Sequence, residues 1–201
     1  VCAFVTSVLE RAGISTGLFS SPHLVDIRER FRLNGEMISR EAFASCLNRV
    51  MDSLELFRAE TGKAEYHPTF FELLFFMGML WFSDQKAEAI VLETGMGGRL
   101  DATNVVRRPA VCVITRIGLD HMEYLGDTKE KIAAEKAGII KPRVPVVFWD
   151  EDPSVSRVIV EKAKKIDAET IPVSEEEVGF FNFKNKTVDF SMRSGYYEYI
   201  R

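Results

Sequence analysis

The run EAIVLETGMGGRL, residues 88–100, decides how this chain folds. Its first part, Glu88 to Thr94, is a mostly apolar segment of strand length that ends in a cluster of glycines at Gly95, Gly97 and Gly98. A second apolar run, Ala110 to Ile117, leads into a helical pattern from about Thr128 to Ile140. A third, Val144 to Trp149, leads into another from Pro153 to about Ile166. Apolar strands alternating with helices predict an α/β fold, a mostly parallel sheet with helices on both faces.

Upstream of that run, Thr69 is placed to cap a long helix ending near Asp84. Its most hydrophobic stretch, Leu73 to Phe82, falls far short of the roughly 20 residues a membrane span needs, and reads as a buried core helix. Ser39, with Glu41 close behind, opens an earlier helix that runs to about Glu60 and stops before Gly62. Thr16 to Ser20 reads as a short strand followed by a polar loop through Gly35. Val1, Phe4, Val5, Val8 and Leu9 have the spacing of a helix face, with Gly13 as the stop. Downstream, Phe180–Phe183, Thr187–Phe190 and Tyr196–Ile200 alternate like short strands, separated by Asn185-Lys186 and Ser194-Gly195. They predict an antiparallel meander appended to the α/β core. One domain is therefore expected over residues 1–201, with the α/β core to about 175 and the extension from about 176. Both ends read as cuts through a larger polypeptide.

A net charge of −4 leaves no basic footprint for nucleic acid, so binding has to come from local sites. The three cysteines, Cys2, Cys46 and Cys112, form no C-x-x-C pair and sit in apolar stretches, which suits small buried side chains in a reducing cytosol. No secretory pattern opens the chain, and a cytoplasmic protein without membrane attachment is expected.

In open α/β sheets ligands bind beyond the carboxyl ends of the strands. Glu93 stands at such an end among apolar residues, where a carboxylate needs a cation: a metal ion, or an arginine such as Arg99. The glycines after it let the backbone approach a ligand. The next strand delivers Gly118, Leu119, Asp120 and His121 to the corresponding position, where His121 suits a metal site or plain surface. Farther on, Lys136 lies among Ala133, Ala134, Ala137 and Gly138, on a face that packs closely. A buried lysine can lose its proton and take up carbon dioxide as a carbamate; an ordinary lysine with its head in water fits the same spacing.

The segments SSPHL (Ser20–Leu24), TFFE (Thr69–Glu72), LETGMGGRLDATN (Leu92–Asn104), GLDHMEYLGDT (Gly118–Thr128) and AAEKAGIIK (Ala133–Lys141) together resemble the signature blocks of the folylpolyglutamate synthase/dihydrofolate synthase family, within the Mur-ligase-like amide ligases. The blocks stand in the family's order over nearly the whole chain. The resemblance implies a P-loop NTPase-like central domain of a Mur ligase and an ATP-dependent ligation of glutamate to dihydropteroate or tetrahydrofolate through an acyl phosphate. It implies Ser21, Glu93 and His121 as magnesium ligands, and Lys136 as a carbamylated lysine that helps hold a second magnesium. Glu93, His121 and Lys136 are thereby the residues expected to serve catalysis. It also implies that Thr69, Phe70, Phe71 and Glu72, with Leu100 and Asp101, line the pterin or folate site. The expected partners are small molecules alone, and a monomer is expected. Magnesium favours hard oxygen donors, so the histidine leans most on the resemblance.

The family's glycine-rich phosphate loop, ending Gly-Lys-Gly-Ser/Thr, occurs nowhere in these residues. This chain alone is accordingly expected to be inactive as a ligase and to lack a nucleotide-binding residue set of its own. A Mur-type ligase with another acceptor and a non-catalytic folate-binding module are the competing readings.

Overall fold

A computed structural model of the chain describes residues 1–175, 178–184 and 187–192. They form two compact units: Val1–Met96 with Leu100–Val105, and Gly97–Arg99 with the residues from Val106 on.

The first unit contains α1 (Cys2–Arg11), β1 (Thr16–Phe19), β2 (Phe31–Leu33), β3 (Glu36–Met37), α2 (Arg40–Thr61), α3 (Phe70–Asp84) and β4 (Ala89–Leu92). The strands lie in the order β3-β2-β1-β4. β1 pairs in parallel with β4, Thr16 beside Ala89 and Phe19 beside Leu92. Ser39 and Thr69 cap α2 and α3 through their side chains, and Gly62 ends α2 in the left-handed conformation at φ 67°, as the sequence predicts.

The stretch expected as a polar loop through Gly35 instead holds an antiparallel hairpin, β2 and β3. Asn34 and Gly35 connect the strands with φ of 50° and 81°, both positive, as a two-residue primed turn requires. β2 joins the sheet antiparallel to β1, with Phe31 opposite Phe19. This adds an antiparallel edge to the parallel pair.

Every residue of β1 is buried. On one face, Phe19 meets Phe31 and Phe75 edge-on, with ring centroids 5.7 and 6.0 Å apart. Gly17 lies on the same face, and a Cβ there would stand 2.7 Å from the Phe82 ring. Thr16 and Leu18 point the other way, by the alternation of a strand, where α1 packs on β1 and β4. The hydrophobic run in α3 is core, as expected: Leu74, Phe75, Met77, Trp81 and Phe82 are all buried.

The second unit contains β5 (Cys112–Ile114), α4 (Met122–Leu125), α5 (Lys129–Lys136), β6 (Val146–Trp149), α6 (Pro153–Lys165), β7 (Thr170–Val173), β8 (Val178–Lys184) and β9 (Thr187–Met192). β5, β6 and β7 form a parallel sheet in that order. Cys112, Ile114, Val146 and Phe148 pack against Ile132, Ala133 and Ala137 from one helical segment, and Val155, Ile159 and Ala163 from another. β7 went unread in the sequence because it is short and contains Pro172, which a strand tolerates at a sheet edge.

α5 is also shorter than its sequence pattern. It ends at Lys136 and tightens into a 3-10 turn over Ala137–Ile139. Gly138 lies in that turn and lets it pack on the Arg99 backbone: a Cβ there would lie 2.5 Å from the Arg99 Cα. β8 and β9 pair antiparallel, in agreement with the first two strands of the expected meander. The third, Tyr196–Ile200, lies outside the described residues. All three cysteines are free, and burial pushes the Cys46 and Cys112 thiols up from their ordinary pKa. No helix among the described residues is long and apolar enough to cross a membrane.

Replacing Gly138 with alanine forces a methyl into the Arg99 backbone and is expected to destabilise the protein by about 1–3 kcal/mol, the usual cost of overpacking. Urea unfolding of G138A against the wild type measures it; coincident midpoints would refute the close-packing explanation.

Candidate functional site

Parallel pairing of β1 and β4 ends both strands at one edge of the sheet. The Glu93 N–H donates to the Phe19 carbonyl at 2.9 Å, which carries the ladder one residue past the strand. Ser21, two residues beyond β1, donates its N–H to Glu93 Oε2 at 3.0 Å. The structure thus brings together Ser21 and Glu93, far apart in sequence. Among the described residues, neither the Ser21 hydroxyl nor Glu93 Oε1 makes a hydrogen bond. Two hard oxygen donors therefore stand beside each other uncommitted, a chemistry that fits magnesium.

The loop after Ser21, which begins with a cis Ser21–Pro22 peptide, is braced by carboxylates. Glu29 accepts from the N–H groups of Leu24, Val25 and Asp26 at 2.8, 2.9 and 2.8 Å. These three bonds hold the Glu29 carboxyl below its ordinary pKa. Asp26 accepts from the Arg28 guanidinium at 2.7 Å and from its backbone N–H, which brings the Asp26 pKa down to about 2.

Arg30 closes this loop, and the sequence reading passed over it. It is only 8% exposed. Its Nε donates to His23 Nδ1 at 2.9 Å, and its Cζ lies 5.9 Å from the Phe70 ring centroid. Burial draws its pKa down, while the negative charge of Glu93 opposes that shift. Little in the sequence signals it, since Arg30 is the middle one of three alternating arginines, Arg28, Arg30 and Arg32.

The residues expected to line a folate site divide into two roles. Thr69 and Glu72 form a reciprocal capping box: Thr69 N–H donates to Glu72 Oε2 at 2.7 Å, and Glu72 N–H donates to Thr69 Oγ1 at 3.2 Å. Asp101 braces the glycine loop, accepting from the N–H groups of Gly95 and Met96 on one oxygen and from Thr103 on the other. Phe71 supports the same loop, since a Cβ on Gly95 would stand 2.7 Å from its ring. Phe70 and Leu100, 58% and 81% exposed, are the members left open to a ligand.

His121 and Lys136 belong to the second unit. His121 stands before α4 with φ 51°, in the left-handed region, and its side chain is 53% exposed with Nε2 3.7 Å from Asp120 Oδ2. Lys136 is the last residue of α5 and is half-buried. Of the flank read from the sequence, Ala133 and Ala137 are buried while Ala134 is exposed, and Gly98 leaves no room for a Cβ, which would lie 2.9 Å from the Lys136 carbonyl oxygen. No ion pair to Lys136 occurs among the described residues. Arg99, the arginine considered as a partner for Glu93, pairs with Glu135 at 3.1 Å. Among the described residues, no three His, Cys, Asp or Glu side chains cluster as metal ligands.

Comparison with known proteins places these features in a family. The model of the Mur ligase middle domain matches residues 51–197. A folylpolyglutamate synthase of Arabidopsis thaliana is 43% identical over 170 residues, which is 83% of this chain and 28% of that protein. A dihydrofolate synthase/folylpolyglutamate synthase of Bacillus subtilis is 41% identical over 165 residues, 81% of this chain and 37% of that protein. A solved structure described as an FPGS–AMPPCP–folate complex superposes with a TM-score of 0.86 at 30% identity, covering 93% of this chain and 45% of the other. The chain thus spans less than half the length of each of these relatives.

The bracing carboxylates make the first unit acid-sensitive in a defined window. Asp26, ordinarily at 3.8 and held at about 2, contributes stability that is complete above its unfolded value and lost as pH falls from about 3.8 towards 2. Glu29, also held low, acts in the same direction from its own unfolded value of 4.5 downward. Asp26→Asn is expected to flatten the loss of stability in that window, as followed by thermal melting at successive pH values. An unchanged pH profile would refute the bracing role.

Proposed function

The chain belongs to the Mur ligase middle-domain family, and we propose that it serves in an ATP-dependent ligase that adds L-glutamate to dihydropteroate, to tetrahydrofolate or its polyglutamates, or to both kinds of acceptor. The observation that carries this reading is the pairing of Ser21 with Glu93 at the carboxyl ends of two parallel strands, in a unit that also leaves Phe70 and Leu100 open. Support comes also from the relatives, named as folylpolyglutamate and dihydrofolate synthases. The match over residues 51–197 crosses both compact units, which favours treating 1–201 as one family domain, with the antiparallel strands as its extension.

In this reading the acceptor carboxylate attacks the γ-phosphate of ATP, ADP leaves, and glutamate's amino group then displaces phosphate from the acyl phosphate to form the amide. Phe70 and Leu100 offer flat and aliphatic apolar surface to the aromatic acceptor. Asp101 and Phe71 keep the intervening glycine loop in place, so the acceptor meets a preformed wall. The Ser21 hydroxyl and Glu93 would hold magnesium in the first unit, while His121 and a carbamylated Lys136 are its proposed holders in the second. Magnesium, when bound, supplies positive charge to the oxygens of the transferring phosphoryl group. The Lys136 ammonium first gives up a proton to become a neutral amine, whose nitrogen adds to carbon dioxide and releases a second proton; the cation becomes an anionic carbamate, an oxygen donor. We place the protein in a reducing aqueous compartment, the cytoplasm in the first instance, as a monomer.

ADP release by the whole protein, with magnesium and glutamate and with dihydropteroate or tetrahydrofolate offered separately, tests the assignment. Turnover with either acceptor is expected, with both for a bifunctional enzyme, and none from the 201-residue chain by itself. A folded whole protein that turns over neither acceptor would sink it. In the active protein, Glu93→Gln is expected to lower kcat by about a hundredfold or more, the scale of losing one preorganised electrostatic contact.

A further inference from the structure

Arg30 presents an unusual electrostatic situation. An arginine that is only 8% exposed as a residue ordinarily faces a carboxylate, because charge withdrawn from water is costly unless paired and hydrogen-bonded. Arg30 has no carboxylate ion pair among the described residues, whereas its loop neighbour Arg28 is paired with Asp26. Its only hydrogen bond there is from Nε to His23 Nδ1, so both terminal amino groups remain without a protein acceptor. The closest anionic influence is Glu93, whose Oε2 is already taken by the Ser21 N–H.

The surroundings fix the guanidinium rather than satisfy it. His23 holds one edge at 2.9 Å, and the Phe70 ring lies against it at 5.9 Å. His23 precedes the three backbone N–H groups that Glu29 clamps, and Arg30 ends the 3-10 turn Ile27–Arg30 that follows them. Neither terminal amino nitrogen is fully enclosed, so the planar fork of two amino groups reaches the surface without a protein acceptor, the geometry that takes a carboxylate through two parallel bonds. Beside it, Phe70 leaves more than half of its surface open, a platform for an aryl ring.

We propose that Arg30 is the clamp for the acceptor's carboxylate: held at Nε by His23 and set against Phe70, it receives both carboxylate oxygens through its terminal amino groups. This rests on the folate-ligase reading above and adds to it the residue that orients the reacting group. The clamp neutralises the carboxylate's approach to Glu93 and fixes which oxygen faces the incoming phosphoryl group. His23 is a positioning residue, acting through Arg30.

A binding cycle tests it. Affinities of the whole protein for pteroate and for its carboxamide, which keeps the shape and loses the anion, are measured by calorimetry for the wild type and for Arg30→Gln. The wild type is expected to prefer the carboxylate by about tenfold to a hundredfold, the range for hydrogen bonds to a charged group. R30Q is expected to abolish that preference while binding the carboxamide nearly as the wild type does. Arg30→Lys, which keeps the charge without the fork, should retain only part of the preference. If R30Q does not fold, as judged by circular dichroism, His23→Ala takes its place and should reduce the preference with Arg30 still present. A carboxylate preference that survives these substitutions overturns the clamp and leaves the folate assignment standing. A folded wild type that binds neither compound overturns both.

Discussion

The parallel register of β1 with β4 is the constraint on which the first unit's chemistry depends. It is continued past the strands by one backbone bond, Glu93 to Phe19, and answered by the Ser21 N–H on the Glu93 carboxylate. These two bonds convert a separation of 72 residues into a 3.0 Å contact. The register is enforced from the core: Gly17 admits the Phe82 ring, and Phe19 is enclosed by Phe31, Phe71 and Phe75. A slip of one residue would exchange the two faces of β1 and drive Leu18 into space shaped for a glycine or a phenylalanine. The site is therefore a consequence of core packing as much as of its polar residues.

Around that point, acidic side chains serve the backbone. Glu29 gathers three N–H groups of one loop, Asp101 two N–H groups of another, and Glu72 closes the start of α3. Each satisfies donors that a loop or a helix end would otherwise leave unpaired. The result is a set of loops rigid enough to display apolar groups, with Phe70 and Leu100 open to solvent while their neighbours are committed. Arg30 is the counterpart in charge, a buried cation that the protein orients but does not neutralise.

The second unit is organised differently. Its parallel strands are covered by a small-residue face, where Ala133, Ala137 and Gly138 allow close approach. Arg99 enters this packing both through its backbone, with its N–H on the Glu135 carbonyl at 2.9 Å, and through its ion pair with the same residue. Lys136 sits in the middle of that arrangement, so its position is set by backbone contacts on either side. The exposed ion pair adds little stability at that surface, and the packing of Gly98 and Gly138 is what holds the turn.

Much of this was legible in the residues. Helix caps at Ser39 and Thr69, the stop at Gly62, the buried run of α3 and the parallel strands all follow from local propensity and from the period of apolar residues, which act within a few positions of one another. The Asn34-Gly35 hairpin was equally local and was hidden only by the polar residues around it. The signature blocks pointed to Ser21, Glu93 and His121 as magnesium ligands, and to Thr69–Glu72 and Leu100–Asp101 as a site. Beyond the local cap at Thr69, only the tertiary structure separated the members of that set, committing Asp101 to the glycine loop's donors and leaving Phe70 and Leu100 open. It alone showed that Arg30 is buried and half-satisfied, or that Arg99 answers Glu135. Those outcomes depend on which groups distant in sequence arrive within 3 Å, and a residue's own neighbours in the chain carry no record of that.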